Sequence, residues 1–334
     1  REEQFRPPTL FHFIAAFFSI LFGDLGLKLV SPIFGSLTLI ILYLLFRKIS
    51  NEKAAFYSIF FISFVPLYVD YNVLGYVESL LTFLTVLSLY FAFKQKYLLS
   101  GIAAGLSILT KYNGAFILPV LLFIAYKSNA KKNLIRNSLL VSILPLAISS
   151  PWLIRNWIFM GNPIWPFMNL VFRGIEQYSY LDFAYGNLTS LNTFLAVYLG
   201  FFGVPDGNYN ALFFIGLPNF ALTLATYLAA TAVFLSPVFF GFRNSKYHMV
   251  WYVLLGSYLT LFIFYVSNVG AFISRMLMPT FLAFAFFYGA GMNSIMKKSK
   301  KAGKILFILM LLIASGFVGA EAFKFKLASK SWNF

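Results

Sequence analysis

Six charged side chains sit where this sequence could do chemistry: Arg6, Asp70, Glu78, Lys111, Arg155 and Arg275. Each stands at the same end of an apolar stretch, and ionisable groups near a membrane interior are costly enough that they tend to face a cavity or a partner. Several cations with two acids suit an anionic headgroup such as a phosphate, for which lysine supplies a point charge and arginine a planar fork. A carboxylate beside them can orient or deprotonate a hydroxyl. Glu78 is the sharpest of the set, about one turn inside the apolar run that opens Leu74-Gly75-Tyr76-Val77-Glu78-Ser79. The same position also suits a carboxylate that merely complements a helix N-terminus. Asp70 lies just before that run and reads either as a second catalytic acid or as a solvated loop acid. Lys111, Arg155 and Arg275 read either as phosphate ligands or as cations snorkelling to the interface. His12, on an apolar helix, reads as packed rather than catalytic.

The elements that must position these groups are membrane helices. Charged residues make up 11% of the 334-residue chain and hydrophobic ones 60%, whereas a soluble domain carries about 25% charged residues. The apolar runs are Leu27–Phe46, Ala54–Tyr68, Leu74–Phe93, Leu98–Thr110, Ala115–Tyr126, Ser138–Trp152, Leu222–Phe242, Met249–Val266, Met276–Met292 and Ile305–Ala320. Several are shorter than the roughly 20 residues a helix needs to cross a bilayer, so the expectation is a polytopic bundle of about ten spans. Leu98–Thr110 and Ala115–Tyr126 read as two crossings with a tight turn at Lys111, Tyr112 and Asn113. Runs without period-2 alternation do not read as barrel strands.

Alternate gaps between the runs differ sharply in charge. One set holds Arg47, Lys48 and Lys53; Lys94 and Lys96; Lys127, Lys131, Lys132 and Arg136; Arg243 and Lys246; and Lys297, Lys298, Lys300, Lys301 and Lys304. The other set holds every acid except Glu52. Basic loops face the cytoplasm, which places the six candidate groups outside. The net charge of +16 then reports topology and attraction to anionic lipid headgroups, with no place for nucleic acid. The absence of cysteine and the presence of only 2 histidines exclude disulfides, thiolate metal sites and histidine-rich ones.

Four regions follow. Residues 1–25 form an external juxtamembrane segment in which Leu10–Phe22 is a helix on the outer face, started by Pro7-Pro8 and closed by Gly23-Asp24. An upstream first span is expected before it. Residues 26–152 are a first transmembrane group and 221–334 a second. Between them, 153–220 is one long external loop of about 60 residues, long enough to cover a site. Its aromatics, Trp157, Trp165, Tyr178, Tyr180, Tyr185 and Tyr209, could stack on a sugar or sit at the membrane interface. Asn187-Leu188-Thr189 is a glycosylation sequon of meaning only in a secretory host.

Several ordered motifs resemble one family. Arg6-Pro7-Pro8-Thr9-Leu10, with Phe22-Gly23 after an apolar helix, is similar to the His/Lys-Pro-Pro-Leu segment and following Phe-Gly of the GT-C glycosyltransferases that use polyprenyl-phosphate sugars. Those include the protein O-mannosyltransferases and the lipid A aminoarabinose transferases. The likeness continues through Leu29-Val30-Ser31-Pro32-Ile33-Phe34-Gly35, Tyr43-Leu44-Leu45-Phe46-Arg47, Glu78-Ser79-Leu80-Leu81-Thr82-Phe83, Leu109-Thr110-Lys111-Tyr112, Pro151-Trp152-Leu153-Ile154-Arg155-Asn156 with Gly161-Asn162-Pro163, and Arg275-Met276-Leu277-Met278-Pro279. The resemblance implies that Arg6 and Lys111 contact the lipid phosphate, that Arg155 and Arg275 assist, and that Glu78 is the second acidic member of the site. It also implies a principal catalytic acid about 20 residues before the Pro-Pro motif. That position would precede Arg1, because Glu2 and Glu3 lie too close to Pro7.

The expectation is therefore an all-α, GT-C-like integral membrane glycosyltransferase that transfers a hexosyl or pentosyl group, with inversion, from a polyprenyl-phosphate donor. Its acceptor would be a protein or a glycolipid on the external face of a prokaryotic plasma membrane. No resident cofactor is firm; a divalent metal is possible in the wider fold, although few acids are available to hold one. The alternatives are a transporter or flippase for lipid-linked sugar and a noncatalytic binding subunit. The lack of an internal repeat weakens the first.

Overall fold

The computed structural model describes residues 8, 10–73, 75–128, 133–165, 167–174, 228, 231–233, 235–242, 248–269, 278–313 and 315. Among them there is no strand. The helices are α1 (Leu10–Phe22), α2 (Asp24–Ile49), α3 (Glu52–Ser63), α4 (Pro66–Val73), α5 (Glu78–Phe93), α6 (Tyr97–Thr110), α7 (Leu118–Lys127), α8 (Leu134–Met160), the short α9 (Asn169–Phe172), α10 (His248–Val269) and α11 (Phe281–Lys298). Their ends follow local rules. Asn51 caps α3 by accepting the backbone N–H of Ala54 at 2.9 Å, which satisfies one of the orphan donors of a helix start. Asp24 lies in the first turn of α2 and Arg47 and Lys48 in its last, each opposing the macrodipole charge there. A proline near the start of α7 costs no helical hydrogen bond. Gly161 ends α8 in the left-handed region, with φ 67° and ψ 9°, and its N–H reaches Trp157 O at 2.9 Å, a glycine C-cap.

The chain runs up and down through these helices. The basic residues gather at one end: Arg47 and Lys48 close α2, Lys94 follows α5, Lys96 precedes α6, Lys127 closes α7, Arg136 opens α8, and Lys297 and Lys298 close α11. The start of α5, the end of α6 and the last turns of α8 share the other end. Close helix packing makes this possible. Gly101 and Gly105 of α6 form a small-x-x-x-small face, and a Cβ on them would fall 1.9 Å from Leu140 O and 2.8 Å from Ile148 Cβ of α8. Such faces let membrane helices approach nearly backbone to backbone. The main core surrounds α11, where Phe286 stacks on Trp251 of α10 at 4.9 Å between ring centroids and Phe61 of α3 stacks on Tyr288 at 4.7 Å. A smaller cluster joins Phe11 of α1 to Val30 of α2 and to Leu80 and Leu84 of α5.

The outer surface stays apolar. Ile20 is 82% exposed and Ile135 78%, with Phe13, Phe17, Leu139 and Ile143 also out of the core, as expected where lipid rather than water is the solvent. Two described helices, α2 and α8, are individually long and apolar enough to cross a membrane, and a third crossing arises if α3 and α4 are one bent span. The expected run Ala54–Tyr68 is thus not straight: the chain bends by 68° at Phe64 and Val65, because Pro66 cannot continue an i to i−4 ladder. Leu74–Phe93 becomes a helix only from Glu78, after Gly75 turns the chain at φ 75°. The segment 153–160, read as the beginning of the long loop, completes α8. Most of that loop, all of 175–220, lies outside the described residues, as do parts of the runs Leu222–Phe242, Met276–Met292 and Ile305–Ala320.

Candidate functional site

Where α5 begins and α6 ends, Glu78 and Lys111 meet. Lys111 Nζ lies 2.7 Å from Glu78 Oε1, with the carboxylate side chain 2% exposed and the lysine 16%. Two features suit an acid in this place: the lysine, and its position as the first residue of α5, where the macrodipole favours an anion. A buried ion pair is weak evidence for stability, because desolvation offsets most of the Coulombic gain.

The approach to Glu78 is pinned from two sides. Ser79 Oγ donates to Tyr71 O at 2.9 Å and Ser31 Oγ to Tyr76 O at 3.0 Å, tying the α4–α5 turn to itself and to α2. Tyr68 donates its hydroxyl to Gly35 O at 2.8 Å, and a Cβ on Gly35 would fall 2.2 Å from Asn72 Oδ1, so only glycine admits α4 so closely to α2. Asp70 rides on α4, half-buried, on the arm of this turn opposite Glu78.

Lys111 is the extended residue between α6 and a 3-10 turn, Tyr112–Ile117. Its backbone N–H closes α6 on Ser107 O at 3.0 Å and its carbonyl accepts from Gly114 N at 2.9 Å. Gly114 packs so tightly that a Cβ there would lie 2.5 Å from the Ser107 carbonyl carbon. The turn aims Tyr112 at α8. Its phenol oxygen accepts from Asn156 Nδ2 at 2.6 Å and from Trp152 Nε1 at 3.2 Å. Asn156 Oδ1 in turn accepts from Arg155 Nη1 at 3.1 Å, and the Arg155 guanidinium lies 4.6 Å from the Trp152 ring centroid, a cation–π contact. Burial holds the Tyr112 phenol above its ordinary 10.0, against the opposing pull of Trp152, Asn156 and Arg155; it is neutral at physiological pH.

The structure therefore brings Glu78 to Lys111, and Arg155 to the neighbour of Lys111. Arg6 and Arg275 lie outside the described residues. His12, expected to be packed, is exposed on α1 with its ring edge-on to Phe11 at 6.0 Å. Sequence reasoning gave no role to Tyr112, Trp152 or Asn156, although all three stood within the motifs quoted; their partnership needs α6 and α8 side by side. Among the described residues no group of three or more His, Cys, Asp or Glu could hold a metal ion.

Comparison with known proteins gives a family model and a fold. Residues 6–155 match the model of the dolichyl-phosphate-mannose-protein mannosyltransferase family, a stretch that begins at one candidate cation and ends at another. The fold is similar to that of ArnT from Cupriavidus metallidurans in the apo state (TM-score 0.62, 16% identity, 92% of this chain and 52% of that one). It is similar also to the same protein bound to undecaprenyl phosphate (TM-score 0.57, 17% identity, 92% and 53%). The Archaeoglobus fulgidus oligosaccharyltransferase in complex with Zn and sulfate is a further likeness (TM-score 0.53, 17% identity, 93% and 44%). The chain spans about half the length of these solved structures. None of the curated proteins compared with it matches significantly. The fold is like that of these solved structures, in a multi-pass helical membrane protein.

Proposed function

We propose, from the premise of a GT-C fold, that this protein transfers a sugar from a polyprenyl-phosphate donor to a hydroxyl or other nucleophile of a protein or glycolipid acceptor on the external face of the membrane. The observation that carries the proposal is the buried Glu78–Lys111 pair, at the end of the bundle away from the basic loops. The undecaprenyl phosphate held by one structural neighbour supports a lipid phosphate as the anion.

In this reading the acceptor oxygen attacks the anomeric carbon, the bond from that carbon to the phosphate oxygen breaks, and the acceptor's proton goes to a carboxylate. The leaving group is polyprenyl phosphate, and the charge that develops on it is what the cations oppose. Lys111 and Arg155 do so through donors already held in place, which is where electrostatic preorganisation acts most strongly. Arg6 and Arg275 are assigned the same role. Arg6 precedes α1, whose Phe11 shares a cluster with Leu80 and Leu84, on the first turns of the helix that Glu78 opens. Glu78 is the acid next to the phosphate site, and Asp70, on the facing arm, is the second. These two described acids do not by themselves make a divalent-metal site, which takes six or more oxygen ligands for calcium or a near-ideal octahedron for magnesium, and no step here passes through one.

The test is transfer of radiolabelled sugar from polyprenyl-phosphate donors, by membranes carrying the full-length protein, to endogenous acceptors. Wild-type membranes should transfer and Glu78→Gln membranes should not, with equal amounts of folded protein. Wild-type turnover in both Glu78→Gln and Lys111→Ala would remove the site assignment.

A further inference from the structure

Resting on the reading above, we infer that Tyr112 is a positioning residue for the donor phosphate: it fixes the Arg155 guanidinium in place. Three contacts make the chain of influence. The Tyr112 oxygen accepts from Asn156 Nδ2 at 2.6 Å. That bond, with the Arg155 Nη1 contact to Asn156 Oδ1 at 3.1 Å, uses the two ends of one amide and so sets its orientation; turned over, the amide would present N–H to a guanidinium that has only donors. The second arm runs from the Tyr112 oxygen to Trp152 Nε1 at 3.2 Å, and it holds the indole on whose face Arg155 rests. The guanidinium is thereby held at one nitrogen and over one face, and these two contacts end on a single phenol oxygen, beside a looser contact with the Phe159 ring at 5.8 Å.

That oxygen belongs to the residue next to Lys111. The extended backbone at Lys111, φ −161° and ψ 141°, sends consecutive side chains to opposite sides, so that Lys111 reaches α5 while Tyr112 reaches α8. One turn thus anchors Lys111 to α5 and, through Tyr112, the Arg155 side chain of α8. A phosphate bound by Arg155 would have its geometry decided by Tyr112 without touching it. Arginine has three rotatable bonds or more to freeze, and a preorganised fork loses less on binding than a free one.

Phenylalanine at 112 keeps the ring against Phe167, whose centroid lies 6.0 Å away, and removes only the oxygen. The experiment is a double-mutant cycle on the purified full-length protein in detergent, reading Kd for undecaprenyl phosphate and for undecaprenol, with inorganic phosphate as a competitor. Tyr112→Phe should weaken undecaprenyl phosphate about five- to tenfold, the loss of one or two modest hydrogen bonds, and leave undecaprenol unchanged. In an Arg155→Ala background the same change should do nothing further, whereas in a Lys111→Ala background it should act in full. Competition by inorganic phosphate should fall in parallel, since the headgroup alone is what Arg155 meets. A full effect of Tyr112→Phe in the absence of Arg155 overturns the inference, as does an equal loss of undecaprenol binding, which marks Tyr112 as merely structural. If the wild-type protein binds undecaprenol as tightly as its phosphate, the functional reading itself falls, and the inference with it.

Discussion

Glu78 and Lys111 divide the chemistry between them. Glu78→Gln keeps the size of the side chain and a hydrogen bond to Lys111 but removes the charge; transfer should fall by about 10²- to 10⁴-fold, the range for loss of a positioned acid or base, with KM for the donor little changed. Lys111→Ala should instead raise the donor KM and Kd, because it removes a headgroup contact, and should cost some stability by leaving a buried carboxylate without its nearest cation. Steady-state kinetics in detergent with added native lipid separates the two patterns. The sequence pointed to both residues because an acid and a lysine at the ends of apolar runs are expensive enough to be conspicuous. It said nothing of Tyr112, Trp152 and Asn156. A neutral phenol, an indole and an amide are ordinary near a membrane interface, and what distinguishes these three is a shared set of hydrogen bonds between helices some 40 positions apart in sequence.

Helix packing is what carries Arg155 to that meeting. The contact between α6 and α8 depends on Gly101 and Gly105, and a leucine at 101 would meet the Leu140 carbonyl oxygen, a backbone atom that cannot swing aside. Gly101→Leu should lower stability by about 1–3 kcal/mol and, by shifting α8, weaken undecaprenyl-phosphate binding as Arg155→Ala does; thermal unfolding in detergent with a binding isotherm checks both. Helix boundaries were partly legible. The expected helix Leu10–Phe22 is α1 itself, because a double proline before it and Gly23-Asp24 after it punctuate the chain. The start of α5 was not, since hydropathy runs unbroken through Leu74-Gly75-Tyr76-Val77 while the backbone there turns at Gly75. Hydropathy likewise missed the bend at Val65: it counts oil, and Pro66 acts through a missing N–H.

At the scale of the molecule, charge sorts the two ends of the bundle. The lysine-rich end, with Ser50 among its exposed residues, should face the cytoplasm, and the end with Val73 and the Glu78–Lys111 pair should face out. The chain has no cysteine, so Ser50→Cys and Val73→Cys can each be labelled as a single site; a membrane-impermeant maleimide should reach Cys at 73 in intact cells and Cys at 50 only after permeabilisation. The alternation of basic gaps could be read at once because that charge bias is a property of sequence alone. The number of crossings could not, since α6 and α7 are apolar but shorter than a single helix needs to cross a membrane. The most direct test of the central claim remains transfer of radiolabelled sugar from polyprenyl-phosphate donors by membranes containing the full-length protein, alongside Glu78→Gln. Transfer by the wild type and none by the variant is the predicted result. Equal transfer by both, or none from any donor by a wild type that still carries lipid-linked sugar across the bilayer, would contradict it.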